Sequence, residues 1–76
     1  MELGERVRQL RAERALSQAE LALRAGVTKL TISRIENGVK FPHPKTLRQL
    51  AEALGVQPTD LVDPQTVIER RKKAAA

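Results

Sequence analysis

The side chains of this sequence that could take part in recognition or catalysis are mostly cations. Of the 76 residues, 14 are Lys or Arg and 9 are Asp or Glu, so the formal net charge is +5. A chain with this excess of positive charge attracts polyanions before any specific contact forms. The first expectation is therefore a binding surface for an acidic partner.

Two residue types that many catalytic and metal sites use, cysteine and histidine, are nearly absent. The sequence has no cysteine and one histidine, His43, which lies between Pro42 and Pro44. Thiolate metal sites, disulfides and cysteine nucleophiles are therefore excluded, and a lone loop histidine is more typical of a helix cap or a surface residue. The sequence also lacks a G-x-x-x-x-G-K-[ST] phosphate-binding loop. We predict no enzymatic activity, no metal and no cofactor.

The composition favours a single all-α domain. Hydrophobic residues make up 41% of the chain, yet Phe41 is the only aromatic residue. A core of Leu, Ile, Val and Ala favours packed helices over a sheet, and a chain this short holds only one compact core. No apolar run is long enough to span a bilayer, and the first residues lack the features of a secretory signal. We therefore expect a cytoplasmic protein with no membrane partner.

Apolar periodicity and capping residues predict three helices in the first half of the chain. The first helix places apolar residues at helical spacing between Leu3 and Leu10. The second begins with a capping box at residues 17–20 and ends at Gly26, a residue type that adopts left-handed backbone angles without steric cost. Thr28 can cap a third helix.

The second half of the chain predicts two more helices. An Asn-Gly pair at residues 37–38 ends the third helix, Pro44 suits the first position of a fourth, and Gly55 ends that one. A short fifth helix is predicted over residues 58–62. The fold class that follows is a compact five-helix bundle.

The composition changes after Pro64. Residues 70–73 are all basic, and Val67 and Ile68 are the only large apolar residues in this segment. Such a segment is typical of a solvated tail, although its four cations could also add phosphate contacts. We predict a domain over residues 1–63 and a basic C-terminal tail over residues 64–76.

Two of the predicted helices have the outline of a helix-turn-helix. They cover Gln18–Ala25 and residues 28–37, and the turn between them contains Gly26. Helical spacing turns Ile32 and Ile35 inward. The outer face, which would meet a major groove, then carries four residues: Lys29, Leu30, Ser33 and Arg34.

The chemistry of that outer face suits the edges of DNA bases. Arg34 can donate two hydrogen bonds to guanine, Lys29 can reach a base acceptor or a phosphate, and Leu30 can contact a thymine methyl. The alternatives are that both cations are ordinary solvated charges and that Leu30 packs against the second helix.

Several separately spaced motifs resemble those of a known family. They are SQAELA at residues 17–22, GVT at 26–28, ISRIENG at 32–38 and PHPKTLRQLAEALGV at 42–56. Together they are similar to the DNA-binding domains of phage repressors and Cro proteins, also called xenobiotic-response-element-type regulators. The resemblance implies a lambda-repressor-like fold that binds double-stranded DNA.

The resemblance also implies roles for individual residues. Four positions match residues that meet base edges, namely Lys29, Leu30, Ser33 and Arg34. Four positions are expected at the DNA backbone, namely Gln18, Thr28, Asn37 and Lys40. Arg11 and Glu36 match a partly buried ion pair that ties the first helix to the third. His43 departs from the family, in which a Ser or Asp commonly caps the fourth helix.

We therefore predict a sequence-specific DNA-binding transcriptional regulator, a repressor that occupies an operator through the recognition helix of residues 28–37. One recognition helix offers a small surface, so a homodimer on paired half-sites is expected, with Val56, Leu61 and Val62 as contact residues. The alternative is an antitoxin or bridging-type module that uses the same fold chiefly to bind a protein partner, such as a toxin.

Overall fold

The structure of the protein is a computed structural model that describes residues 3–62. This part of the chain has helices and no strand, which confirms the all-α prediction. Residues 3–62 form four α-helices: α1 (Leu3–Glu13), α2 (Gln18–Ala25), α3 (Lys29–Glu36) and α4 (Pro44–Leu54). The predicted basic tail, residues 64–76, lies outside the described residues.

The predicted fifth helix is a single 3-10 turn, Pro58–Asp60. It closes where the Leu61 amide donates to the Pro58 carbonyl at 3.0 Å. Leu61 then enters the core, where it is 4% exposed, so the chain turns inward after one turn. This burial corrects the expectation that Leu61 contacts a second copy. Val56 and Val62 are only partly buried against the same core.

The boundaries of α2 agree with the predicted capping signals. The Ser17 hydroxyl accepts from the Glu20 amide at 3.0 Å, and the Glu20 carboxylate accepts from the Ser17 amide at 2.9 Å. At the other end Gly26 adopts left-handed angles with a φ of 72°, and the Val27 amide donates back to the Ala22 carbonyl at 3.0 Å. A Gly at this position lets the chain reverse and start α3 within three residues.

The junction between α1 and α2 depends on an unexpected backbone conformation. Ala15 has a φ of 53° and is the only residue other than glycine with positive φ in the described part of the chain. Left-handed angles cost an L-residue about 1–2 kcal/mol. This conformation lets the Leu16 amide donate to the Arg11 carbonyl at 3.0 Å, and Leu16 is buried directly before the α2 cap.

The start of α4 has no side-chain cap. His43 occupies the cap position, is exposed, and makes no capping hydrogen bond, while Pro44 supplies the first helical residue. The departure from the family at His43 therefore removes the cap that a Ser or Asp would provide.

The core is built from aliphatic side chains of all four helices. α2 packs against α3 and α4, α1 packs against α3, and α4 contacts the 3-10 turn. Six side chains are the largest of those fully buried: Val7, Leu21, Ile32, Ile35, Leu50 and Leu54. Because Ile32 and Ile35 fix one face of α3 in this core, the opposite face is held toward solvent.

Candidate nucleic-acid interface

The exposed face of α3 brings the four predicted base-contacting residues together. Lys29, Leu30 and Arg34 are exposed, and Ser33 is half-buried between them. Leu30 is 57% exposed, which disfavours the alternative in which it is tucked against α2. Two exposed cations can donate hydrogen bonds, and the exposed aliphatic side chain between them can make an apolar contact. This combination suits the major groove, where base edges present hydrogen-bond acceptors beside thymine methyl groups.

Thr28 shapes the beginning of α3. Its hydroxyl oxygen accepts from the Thr31 amide at 3.1 Å and lies 2.9 Å from the Thr31 hydroxyl. The predicted DNA-backbone residue is thus the helix cap, and it stays exposed at the turn.

Asn37 caps the end of α3 and is held by two neighbours. Its side-chain oxygen accepts from Arg8 Nη2 at 3.2 Å, and its side-chain nitrogen donates to the Ser33 hydroxyl at 3.4 Å. Lys40 lies three residues further along, exposed in the loop before α4.

A buried carboxylate joins α3 to α1 and α2. The Glu36 side chain is completely inaccessible to solvent and is paired with Arg11, whose Nε lies 2.8 Å from Oε2. Arg11 Nη2 donates to Oε1 at 3.0 Å, Gln18 Nε2 donates to the same oxygen at 3.2 Å, and Arg8 Nε lies 3.6 Å from it. We refer to Arg8, Arg11, Gln18 and Glu36 as the Glu36 cluster.

The electrostatics of the Glu36 cluster favour the ionised carboxylate. Burial raises the pKa of Glu36, but hydrogen bonds from Arg11 and Gln18 and the charges of Arg11 and Arg8 outweigh it, so the net pKa lies below its ordinary value. The hydrogen bond to Glu36 likewise raises the pKa of Arg11, against the effect of burial. Arg11 Nη1 also donates to the Leu16 carbonyl at 2.9 Å, so the guanidinium is satisfied on both sides. The pair is consequently a two-point contact between α1 and α3.

Gln18 is both a member of this cluster and the first residue of α2. A carboxylate only accepts hydrogen bonds, so the Gln18 amide must present its nitrogen to Glu36. The nitrogen carries two hydrogens, and the second is left for another acceptor. The predicted phosphate-binding residue is therefore fixed in orientation by a buried charge.

Gly4 and Arg8 are parts of this arrangement that sequence reasoning missed. A Cβ atom on Gly4 would lie 2.5 Å from the Glu36 carbonyl oxygen and 2.7 Å from that of Ile35. The absence of a side chain thus lets α1 approach the last carbonyls of α3, and Arg8 Nη2 donates to the Glu36 carbonyl at 3.4 Å. The signal for Gly4 was its register, because it stands three residues before the buried Val7 on the same face of α1.

Exposed cations without partners among the described residues lie on α3, in the loop after it and on α4. Between residues 28 and 48 the sequence contains only one acid, Glu36, which is buried and paired. Among the residues that the structure describes, five cationic side chains of this segment form no hydrogen bond or ion pair: Lys29, Arg34, Lys40, Lys45 and Arg48. This stretch is therefore a positive surface without an internal counter-charge.

The described residues also lack the features of a membrane-spanning helix and of a metal site. No helix within residues 3–62 is long and apolar enough to cross a bilayer. The same residues contain no group of three or more His, Asp or Glu side chains that could hold a metal ion.

Comparison with known proteins gives consistent matches. The model of a family described as a helix-turn-helix domain matches residues 2–64. The chain is 43% identical over 74 residues to the HTH-type transcriptional repressor RghR of Bacillus subtilis, which covers 96% of this chain and 55% of RghR. The chain therefore spans about half the length of that relative.

Two solved structures of DNA complexes have the same fold. The P22 c2 repressor bound to a synthetic operator superposes with a TM-score of 0.79 at 32% identity, covering 83% of this chain and 96% of that one. SinR, a master regulator for biofilm formation, was solved with DNA and superposes with a TM-score of 0.77 at 35% identity, covering 80% of this chain and 98% of SinR.

Proposed function

We propose that this chain, which belongs to the helix-turn-helix domain family, is a sequence-specific DNA-binding transcriptional repressor that acts by occupying an operator. The observation that carries the proposal is the exposed face of α3, where cations without internal partners flank an exposed Leu30. The Glu36 cluster ties α3 to α1 and α2, which would limit the ordering that binding a duplex requires. The repressors RghR and P22 c2 among the similar proteins support the same function.

Each exposed residue of α3 would make its own contact with a base edge. Arg34 would donate to guanine O6 and N7, Leu30 would contact a thymine methyl, and Lys29 would reach a base acceptor or a phosphate. Ser33 would donate or accept one hydrogen bond between them. These four side chains would give the protein its sequence preference.

The remaining residues would set the position of α3 in the groove. Gln18 would donate its second amide hydrogen to a phosphate, and Thr28 and Lys40 would contact the backbone on either side of α3. The phosphates are charged, and a contact from Lys40 would release condensed counterions, so binding should weaken as salt rises. Asn37 would lie at the same edge, although its side chain is already engaged by Arg8 and Ser33.

A homodimer on two half-sites is the form we propose for the DNA-bound protein. Half-sites read by this motif lie about 10–10.5 base pairs apart, one turn of the duplex. Val56 and Val62 are partly exposed and could meet a second copy, whereas Leu61 is buried in its own chain. The domain boundary near residue 63 and a separate basic tail remain part of this proposal. The protein-interaction alternative is not favoured, because RghR and P22 c2 are named as repressors.

Selection of duplexes from a random pool by the purified protein tests the proposed function. We expect enrichment of one sequence with internal two-fold symmetry, because two copies of α3 would read it. A matched selection with Arg34→Ala and Leu30→Ala together should lose that sequence while the protein remains folded by circular dichroism. A pool that shows no enrichment with the unaltered chain would contradict the proposal.

A further inference from the structure

We propose that Val39, in the loop after α3, is a further DNA-contacting residue, whose side chain packs against deoxyribose carbons of one strand. The proposal rests on the proposed function. It adds an apolar contact, independent of base sequence, to backbone contacts that are otherwise made by polar and charged side chains.

Three helices of the protein end in the same way, with a glycine followed by a valine. Each glycine adopts left-handed angles, with a φ of 72° or 73°. Each valine amide then donates to the carbonyl five residues earlier, which is the hydrogen bond of a Schellman motif. The three bonds are Val27 to Ala22 at 3.0 Å after α2, Val39 to Arg34 at 2.9 Å after α3, and Val56 to Ala51 at 2.9 Å after α4.

The valine of this motif normally has an apolar neighbour within the chain. In Schellman motifs the residue after the glycine frequently packs on the residue whose carbonyl it binds. After α2 and α4 that residue is a buried alanine, and both Val27 and Val56 pack against the core. After α3 it is the exposed Arg34, and Val39 is 75% exposed. The third valine therefore lacks the place in the core that the other two have.

The loop nevertheless holds the backbone of Val39 at the end of α3. Besides the bond from Val39 itself, the Lys40 amide donates to the Arg34 carbonyl at 3.3 Å, and the Gly38 amide donates to the Ile35 carbonyl at 3.1 Å. A valine side chain also has few rotamers. Little conformational entropy would thus be lost when a partner covers this side chain.

The charges beside Val39 indicate that this partner is a polyanion. Arg34 and Lys40 are exposed, and their side chains form no hydrogen bond or ion pair among the described residues. The one acid between residues 28 and 48, Glu36, is buried and paired. An apolar group between two cations complements the DNA backbone, in which charged phosphates alternate with deoxyribose carbons.

The position of Val39 favours the sugar over a base edge. In this motif the N-terminal residues of the recognition helix contact base edges. Val39 follows the C-terminal end of α3, next to Lys40, for which we propose a backbone contact. Its contact should therefore strengthen binding to every sequence equally.

The variant Val39→Ala tests the contact, because it removes apolar groups and leaves the charge unchanged. We expect the affinity to fall by about 3- to 10-fold, alike on the selected duplex and on its single-base variants. The slope of log affinity against log salt should stay the same, since an apolar contact releases no counterions. Lys40→Ala is the charged counterpart and should make that slope shallower by about 0.9.

Two further variants serve as controls. Leu23→Ala truncates an aliphatic side chain that is 84% exposed on α2, outside the cationic segment, and it should leave the affinity unchanged. Val27→Ala truncates a valine of the same motif that packs against the core, so it should lower the midpoint of thermal unfolding. Val39→Ala should leave that midpoint unchanged.

The outcomes separate this proposal from its premise. A uniform loss of affinity with an unchanged salt slope supports it. An unchanged affinity overturns it, and so does a loss confined to one base pair, which would assign Val39 to base reading. A midpoint lowered as much as in Val27→Ala would also overturn it, by placing Val39 in the fold. If the unaltered chain binds no duplex, the proposed function itself fails.

Discussion

The two charged regions of this protein treat the same kinds of side chain in opposite ways. In the Glu36 cluster the carboxylate is fully buried, and each of its oxygens accepts from Arg11. On the exposed face of α3, Lys29 and Arg34 have no partner within the described residues. Glu36, Lys29 and Arg34 all belong to the same eight-residue helix. The charge on one side of α3 is therefore neutralised inside the protein, whereas the cations on the other side are left for an external partner.

The difference between the two regions shows which charges stabilise the fold and which are available for binding. A buried charge must be paired, because an uncompensated charge in the interior is strongly destabilising. An exposed cation is solvated and contributes little to the fold. The Glu36 cluster should thus govern stability, and the exposed face should govern binding. The following substitutions separate the two regions, beginning with the largest expected change.

Arg11→Met should cost the most stability, because it leaves the Glu36 carboxylate buried without its main partner. We expect a loss of about 3–5 kcal/mol in the free energy of unfolding, measured with urea. Arg14→Met is the matched control, since Arg14 pairs with Glu13 at 3.6 Å on the surface. That variant should lose no more than about 1 kcal/mol. Equal losses in the two variants would show that the Glu36 pair acts as a surface pair.

Gly4→Ala should be the next most damaging change. The new methyl group would lie 2.5 Å from the Glu36 carbonyl oxygen, which belongs to the backbone and can move only with α3. A forced shift of this kind costs about 1–3 kcal/mol. Helix propensity alone predicts the opposite sign, because Ala is favoured over Gly in a helix. A gain of stability in thermal unfolding would therefore refute the close approach of α1 to α3.

Acid should weaken the Glu36 cluster selectively. The pKa of Glu36 is lower in the folded state than in the unfolded state, where it is about 4.3. The ionised carboxylate therefore contributes fully to the free energy of unfolding above the unfolded pKa. This contribution is lost as the pH falls through the lower folded-state pKa. We expect the midpoint of thermal unfolding to fall steeply below about pH 4. The Glu36→Gln variant should be less stable at pH 7 and should show a shallower fall. If the unfolding midpoints of the two proteins fell in parallel with pH, the pKa of Glu36 would not be lowered in the folded state.

Substitutions on the exposed face should have the smallest effect on stability. Lys29→Ala and Arg34→Ala remove exposed side chains with no hydrogen bond or ion pair among the described residues, so each should change the unfolding free energy by less than about 0.5 kcal/mol. Calorimetry of the two variants without DNA measures this directly. A loss as large as that of Gly4→Ala would place these side chains in the fold.

Most of the fold was predictable because its signals are local. The capping box at Ser17, the left-handed Gly26 and the apolar spacing of α4 each depend on neighbouring residues, and the helices begin and end where these signals predict. The sequence predicts a helix over residues 58–62, but the structure has only a 3-10 turn there. The turn ends early because Leu61 is buried in the core, and local sequence signals do not encode that tertiary contact. The left-handed conformation of Ala15 has no signature in its residue type.

The sequence predicts which residues form the candidate site, but it does not predict most of the hydrogen bonds between them. Helical spacing places Lys29, Leu30 and Arg34 on one exposed face, and that arrangement needs only the sequence of α3. The hydrogen bonds from Gln18 to Glu36 and from Arg8 to Asn37 join helices that are distant in the sequence. Such contacts depend on how α1 and α2 pack against α3, which no local pattern encodes.

The most direct test of the central claim compares Arg34→Ala with Arg24→Ala on a selected operator and its single-base variants. Both variants remove one exposed arginine, but Arg24 lies on α2 outside the proposed site. We predict that Arg34→Ala loses about 1–3 kcal/mol of discrimination at one base pair, whereas Arg24→Ala keeps the full sequence preference. An unchanged preference in Arg34→Ala, or an equal loss in both variants, would contradict the claim that the exposed face of α3 reads DNA sequence.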